Sequence, residues 1–166
     1  MKYTLTLITI GITAWLLAAC SVNAPMDYRQ SPDRHAADYQ TFTLKAIDHV
    51  KGTTPKAMGR VGQAIQYALE QKGLRYVDND AQLLVEYAVG VKNTQKLNMQ
   101  YYPTGQGMYT RHDVASATVA KLVININDVA DKRSIWLSSG SSEITQQERT
   151  QEEINQVFVT IFENFK

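Results

Sequence analysis

The chain has 166 residues, a length typical of one domain, and carries 17 basic and 16 acidic side chains. This near balance gives no support to a nucleic-acid-binding protein, which needs a basic surface to replace the counterions on phosphates. Hydrophobic residues at 44% are enough to form a core, which excludes a disordered chain, and the single cysteine excludes an internal disulfide, a CxxC redox pair and a zinc site of thiolates.

The N-terminus has the features of a secretory signal peptide. Lys2 supplies a positive charge, an apolar run extends from Leu5 to Leu17, and small residues precede Cys20. A membrane-spanning helix would need about 20 apolar residues, and polar residues follow Cys20 too early for one. The motif Leu17-Ala18-Ala19-Cys20 resembles the lipobox of bacterial lipoproteins.

This resemblance implies cleavage between Ala19 and Cys20 and attachment of a diacylglycerol, with a further acyl chain, to Cys20. Two or three acyl chains would hold the protein on a membrane, whereas a single chain binds only reversibly. Ser21 matches the pattern of lipoproteins that enteric-type bacteria export to the outer membrane. The alternative is an ordinary signal peptide in which the cysteine has no role.

The sequence therefore divides into three segments. Residues 1–19 are expected to be a signal peptide that is removed, residues 20–37 a lipidated N-terminus and tether, and residues 38–166 the folded domain. The tether contains scattered prolines and little periodicity, with a short strand expected around Met26–Tyr28. The domain itself opens with a half-buried strand over residues 39–44, where β-forming residues are frequent.

A helix is predicted next. Thr54 can cap its start, Pro55 suits its first position, and Gly73 lies just past its end. Apolar residues recur between these limits at steps of three and four, which indicates that one face packs on a sheet. These residues are Met58, Val61, Ile65, Ala68 and Leu69.

Three strands and a second helix complete the predicted domain. Alternating apolar residues predict strands over residues 83–91, 118–128 and 134–139, with Ile135 and Leu137 on the face opposite Trp136. The polar turn at residues 129–133 makes the last two strands an antiparallel hairpin. Capping boxes at Thr145 and at Thr150 leave the start of the last helix open by about one turn. Its apolar stripe contains Ile154, Val157, Phe158, Ile161, Phe162 and Phe165.

The segment between the central strands, residues 98–109, is rich in Pro, Gly and Tyr. It is predicted to be a long hairpin loop. Its tyrosines, Tyr101, Tyr102 and Tyr109, are the candidate residues for contact with a partner, because tyrosines stack on sugars and form rigid interface contacts. The alternative is that they cover the edge of the sheet.

The order of these elements resembles a family of bacterial lipoproteins known as domain of unknown function four-one-three-six. The resemblance covers residues 38–165 and rests on the segments 38–42, 68–73, 80–87 and 122–136, with the Gly/Tyr-rich segment between the last two and the terminal helix after them. It implies an envelope lipoprotein with an α+β domain. The family has no established reaction, so the resemblance implies no catalytic residues.

No catalytic or metal-binding spacing is found in the chain. The histidines His35, His49 and His112 show neither HxxxH nor HxH spacing, so no metal or cofactor is expected. His112 beside Asp113 could form a general base and its orienting group, but adjacent loop residues more simply face solvent. The serine-rich segment 138–142 lacks the G-x-S-x-G pattern and a phosphate-binding lysine, and turn formation accounts for it.

Together these features predict a single α+β domain, a mixed, mainly antiparallel sheet with two helices packed on one face. The predicted function is that of a non-enzymatic protein, attached through lipid on Cys20 to the outer membrane and facing the periplasm, which binds an envelope protein or cell-wall glycan. Two alternatives are an accessory subunit of an envelope transport or outer-membrane assembly system, and a hydrolase whose site forms only in three dimensions.

Overall fold

The structure, a computed structural model, describes residues 26–47, 52–105, 107–144 and 148–166. The predicted signal peptide, its cleavage site, the lipidation site Cys20 and the capping box at Thr145 lie outside the described residues. The strands are β1 (Met26–Gln30), β2 (Thr41–Ala46), β3 (Arg75–Tyr76), β4 (Leu83–Thr104), β5 (Gly107–Asp128) and β6 (Arg133–Glu143). The helices are α1 (Pro55–Gln71) and α2 (Gln151–Phe162), and a short 3-10 turn spans Ala36–Asp38.

The signals at the ends of α1 act as predicted. The Thr54 hydroxyl accepts a hydrogen bond from the backbone N–H of Ala57 at 3.2 Å, and Pro55 occupies the first position of the helix. Gly73, with a φ of +88°, follows the last turn in a conformation that glycine adopts at little cost. Because these signals depend on neighbouring residues only, the sequence alone identified both ends of α1.

The sheet is mixed and mainly antiparallel, as expected. Its strand order is β1-β6-β5-β4-β2-β3, and β2 pairs in parallel with both β4 and β3. The remaining pairs, β1 with β6, β6 with β5 and β5 with β4, are antiparallel. Helix α1 makes the connection from β2 to the parallel strand β3, and the two helices contact each other.

One face of the sheet and the two helices form the core. Val85 lies opposite Ile126 and Tyr87 opposite Ile124, all buried on the helix side. Helix α1 approaches β4 closely, since a Cβ atom at Gly62 would lie 2.5 Å from the Tyr87 hydroxyl oxygen. This close approach explains the glycine at position 62.

Helix α2 is fixed to the sheet by aromatic side chains. The ring of Trp136 stacks on Phe162 with centroids 5.1 Å apart, and Phe165 lies against the same indole at 5.8 Å. Phe158 and Ile161 are buried beside them. The helix begins with a capping box in which Thr150 and Glu153 satisfy each other's backbone N–H groups. The terminal helix thus starts at the second of the two predicted boxes.

The prediction for β6 is wrong in its alternation. The pairing between β5 and β6 shifts between Ile126 and Asn127, so that Ile126 faces Trp136 and Asn127 faces Ser134. Ile135 is the extra residue of a β-bulge, which lets both Ile135 and Trp136 be buried while Leu137 is exposed. Strict alternation predicts that Ile135 lies on the face opposite Trp136. The prediction fails because a bulge depends on the partner strand, which the sequence of β6 alone does not show.

The folded sheet includes residues that the sequence analysis assigned to the tether. Strand β1 pairs with β6 from Met26 opposite Gly140 to Gln30 opposite Trp136. The following residues are also attached, because the N–H of Ser31 donates to the carbonyl of Ile135 at 2.8 Å. The folded domain therefore includes β1, which precedes the expected boundary at residue 38. The strand expected around Met26–Tyr28 is an edge strand of this sheet.

The other face of the sheet carries a row of polar side chains. Lys45 forms an ion pair with Glu86 at 2.9 Å, and the Asn127 amide donates to the second carboxylate oxygen of Glu86 at 3.2 Å. The Asn125 amide donates to the Asn127 side-chain oxygen at 3.1 Å. These bonds cross three neighbouring strands, so this face of the sheet is polar while the helix side is apolar.

A buried hydrogen bond joins the segment just before β2 to the end of β5. The Tyr39 hydroxyl donates to the Asp128 carboxylate at 2.8 Å, and both residues are buried. The other carboxylate oxygen accepts the N–H groups of Ala130 at 2.9 Å and Asp131 at 3.2 Å, which forms the turn predicted at this place. The bond from Tyr39 and those two N–H groups hold the pKa of Asp128 below its usual 3.8. Burial and the same bond raise the pKa of Tyr39 to about 12.

Replacing Tyr39 by Phe should lower the free energy of unfolding by about 1.5–3 kcal/mol at neutral pH, the typical contribution of a hydrogen bond to a charged group. Because the folded-state pKa of Asp128 is depressed, its contribution is present above pH 3.8 and is lost as the pH falls through the folded value. The difference between wild type and Tyr39→Phe should therefore persist down to about pH 4 and shrink as the pH falls further, through the folded-state pKa of Asp128, as measured by urea unfolding.

Tyr76→Phe is the matched control, because the Tyr76 hydroxyl donates at 2.9 Å to an exposed carboxylate, that of Asp78. The control should change the free energy of unfolding much less at every pH. An equal or larger effect of the control would contradict the structural role assigned to the buried pair.

Candidate functional site

The most prominent exposed feature is an extension of the β4–β5 hairpin beyond the rest of the sheet. Strand β2 pairs with β4 only as far as Ala46 opposite Tyr87, and β6 pairs with β5 only between Val119 and Asp128. Within the described part of the chain, residues 93–104 and 107–118 form ladder pairs only with each other. We call this two-stranded ribbon the arm. At about 3.3 Å per residue each of its strands extends for roughly 40 Å.

The predicted hairpin loop at residues 98–109 is wrong, because most of that segment is strand. The register continues without a shift to Pro103 opposite Met108 and Thr104 opposite Gly107. Gly107 has a φ of +141°, in a region that favours glycine, where the ribbon turns. Proline is tolerated because, among the residues that the structure describes, this part of β4 pairs with β5 alone, so its outer edge needs no N–H donor. The Pro and Gly residues that indicated a loop therefore mark only the turn and the outer edge of the hairpin.

The two faces of the arm differ in chemistry. The register places Leu97 opposite Val114, Tyr101 opposite Thr110, and Met99 opposite His112. On the face formed by these pairs, five large apolar side chains are between 52% and 69% exposed, namely Leu97, Met99, Tyr101, Met108 and Val114. We call this the apolar face. Such a cluster on an exposed ribbon is typical of a contact surface.

The opposite face is polar and carries charges held in place by ion pairs. Lys96 pairs with Glu143 of β6 near the root of the arm, and Arg111 pairs with Asp113 at 3.0 Å. Gln100 lies opposite Arg111, and Asn98 opposite Asp113. Because side chains alternate along each strand, the arm is an amphipathic ribbon.

The three candidate tyrosines do not form one cluster. Tyr102 and Tyr109 lie directly opposite each other on the polar face, 45% and 61% exposed. The Tyr102 hydroxyl is hydrogen-bonded to the Gln100 side chain. Tyr101 lies on the apolar face, 61% exposed, with its hydroxyl 3.9 Å from the sulfur of Met99. The loop prediction missed this division, although the alternation of Leu97, Met99 and Tyr101 in the sequence was a signal for it.

The structure separates the residues considered for catalysis. His112 and Asp113 are neighbours in β5, so their side chains point to opposite faces and cannot act as a base and its orienting group. The carboxylate of Asp113 binds Arg111 instead. The serine-rich segment 138–142 lies within β6 and not in a turn, and Ser138 is buried in the core. The turn expected for these serines is therefore wrong. His112 is exposed, as expected, but it lies with Asp113 in a strand and not in a loop.

The described residues contain no group of three or more His, Cys, Asp or Glu side chains placed to hold a metal ion. His35 is exposed, and His49 lies outside the described residues. Among the described residues, no helix combines the length and the apolar composition needed to cross a membrane.

Solved structures share this fold. A PDZ domain protein from Parabacteroides distasonis ATCC 8503 is similar with a TM-score of 0.57 at 15% identity over 86% of this chain. The chain spans only 36% of the length of that protein. A PelC dodecamer from Paraburkholderia phytofirmans gives a TM-score of 0.52 at 12% identity, covering 82% of this chain and 93% of that one. At these identities the similarity shows the fold alone.

Sequence comparison identifies the family. No curated protein matches this chain. A DUF4136 family protein from Bacteroides thetaiotaomicron VPI-5482 is 14% identical over 84% of this chain and 96% of its own length, with a TM-score of 0.47. The model of the family described as Domain of unknown function (DUF4136) matches residues 26–165, which include every strand and helix of the fold. The resemblance seen in the sequence is thus confirmed, and the chain belongs to the DUF4136 family.

Proposed function

We propose that this protein is a lipid-anchored envelope protein that works by binding, without catalysis, and that the arm is its contact surface. The arm carries the proposal, because it exposes large apolar and tyrosine side chains on a ribbon about 40 Å long. The small size of the rest of the domain leaves the arm as its most extended surface. The lipobox-like motif ending at Cys20 supports the anchor, and Ser21 supports the outer membrane, with the domain facing the periplasm.

The pair of tyrosines on the polar face supports a partner that is a cell-wall glycan or an envelope protein. Tyr102 and Tyr109 are cross-strand neighbours, so their rings offer adjacent flat surfaces beside the amide of Gln100. Sugars bind to such surfaces through stacking together with hydrogen bonds to nearby polar groups. The same pair would serve as a rigid aromatic contact in a protein interface.

A second candidate function is that of an accessory subunit in a multi-copy envelope assembly. The PelC structure from Paraburkholderia phytofirmans, which shares the fold, is a dodecamer. This observation supports an assembly role for the same fold in this chain.

The anchor is tested by Cys20→Ala. The variant should lose lipid labelling and remain an uncleaved or soluble precursor, since acylation requires the cysteine sulfur. Mass spectrometry of the N-terminal peptide from isolated membranes measures this. Ser21→Asp is the control. The lipobox resemblance implies that this variant keeps its lipid but is retained in the inner membrane. A lipid-labelled Cys20→Ala protein would contradict the anchor.

The contact surface is tested by changing Tyr102 and Tyr109 to Ala together. The melting temperature should change little, because exposed side chains contribute little to the core. Crosslinking in intact cells should lose whatever partner the wild type captures. Tyr28→Ala is the matched control, since Tyr28 is 51% exposed on β1, away from the arm. An unchanged crosslinking pattern in the double variant would place the contact surface elsewhere.

A further inference from the structure

We propose that the apolar face of the arm lies on the surface of the lipid bilayer that holds the anchor. This inference rests on the proposed lipidation of Cys20. It assigns the two faces of the arm to different contacts, with the apolar face on lipid and the face of Tyr102 and Tyr109 toward the periplasm.

The strand directions bring the anchor and the arm to the same end of the domain. Met26, the first residue of β1, lies opposite Gly140 of β6, which lies opposite Leu122 of β5, which lies opposite Val89 of β4. Strand β1 runs away from the arm, because it is antiparallel to β6. Met26, from which the sequence leads back to Cys20, therefore lies at the end of β1 that is nearer the arm.

The chain length between Cys20 and β1 limits how the arm can be oriented relative to the membrane. Five residues lie between Cys20 and Met26 in the sequence, so the two are six residue steps apart, and at most about 3.5 Å per step gives a reach of roughly 20 Å. The arm ends 15 residues beyond Val89, which is roughly 50 Å at 3.3 Å per residue. An arm pointing straight at the bilayer would enter it by roughly 30 Å, the thickness of its hydrocarbon core.

A two-stranded ribbon cannot occupy that depth. Both outer edges of the arm present backbone N–H and C=O groups that are not bonded across the ladder, and the hydrocarbon core offers them no water. The arm therefore lies along the membrane surface, where water and headgroups satisfy its edges. In that position one long face contacts the acyl chains and the other stays in water.

The side chains fit this orientation. Leu97, Met99 and Val114 supply apolar surface, and Tyr101 combines a ring with a hydroxyl, as is common at the membrane–water interface. Lys96 and Arg111, both in ion pairs, lie on the opposite face. This is the ribbon counterpart of an amphipathic helix bound in the plane of the interface. The short tether also keeps the face at a high local concentration near the bilayer, so that weak contacts suffice.

The lone cysteine of the chain makes the test direct. When Cys20 carries its thioether lipid, a newly introduced cysteine is the only free thiol. Met99→Cys and Met108→Cys on the apolar face are compared with Asn98→Cys and Gln100→Cys on the polar face. Each lipidated variant is labelled with bimane and reconstituted in vesicles of phosphatidylethanolamine and phosphatidylglycerol that contain a nitroxide-labelled lipid.

Quenching of bimane fluorescence by the nitroxide lipid should be at least several-fold stronger at positions 99 and 108 than at positions 98 and 100. All four positions are exposed, so circular dichroism should show equal folding. Equal quenching on the two faces, or none on either, would overturn the proposal. Labels at 99 and 108 that are shielded from an aqueous quencher but not quenched by lipid would overturn it too, in favour of a second copy of the chain on this face.

The intact mass of the purified protein separates this inference from the proposed function. If the protein is lipidated but quenching is equal on the two faces of the arm, only the membrane contact of the arm is refuted. A protein without lipid on Cys20 refutes the anchor, and the inference that rests on it falls with it.

Discussion

The pairing of β4 with β5 determines the rest of the structure. Its register is continuous from Leu83 opposite Asp128 to Thr104 opposite Gly107, so one pair of strands forms both the centre of the sheet and the arm. At the base, the helix-side residues of this pair are buried under α1 and α2. Beyond the helices the same alternation continues with nothing packed on it in the described residues, and the apolar side chains of the arm are left exposed. A shift of one residue would invert both faces at once.

The base of the hairpin is held rigid by contacts far apart in sequence. The stack of Trp136 on Phe162 ties the terminal helix to β6, and the hydrogen bond from Tyr39 to Asp128 ties the segment just before β2 to the end of β5. Both contacts lie at the end of the sheet away from the arm. The arm therefore extends from a well-packed base, which is what a projecting contact surface requires if it is to keep one orientation.

Local signals in the sequence predicted much of the fold. Thr54, Pro55 and Gly73 identified α1 because capping depends on adjacent residues, and the alternation from Leu83 identified β4. Two features were not predicted from the sequence, because they depend on residues far away along the chain. The bulge at Ile135 exists only in relation to β5, and the bond between Tyr39 and Asp128 joins residues 89 positions apart. The arm was missed for another reason: Pro103 and the glycines outweighed an alternation of Leu97, Met99 and Tyr101 that was present in the sequence.

The candidate tyrosines lie on two faces because the arm is a pair of strands and not a loop. The central claim is therefore that this segment is an ordered pair of strands. Amide hydrogen exchange, followed residue by residue by NMR, measures it most directly. In an antiparallel pair, alternate residues exchange N–H···O=C bonds across the ladder while the others point outward. The account predicts slow exchange at every second residue of 93–104 and 107–118. Uniformly fast exchange through these residues would contradict it.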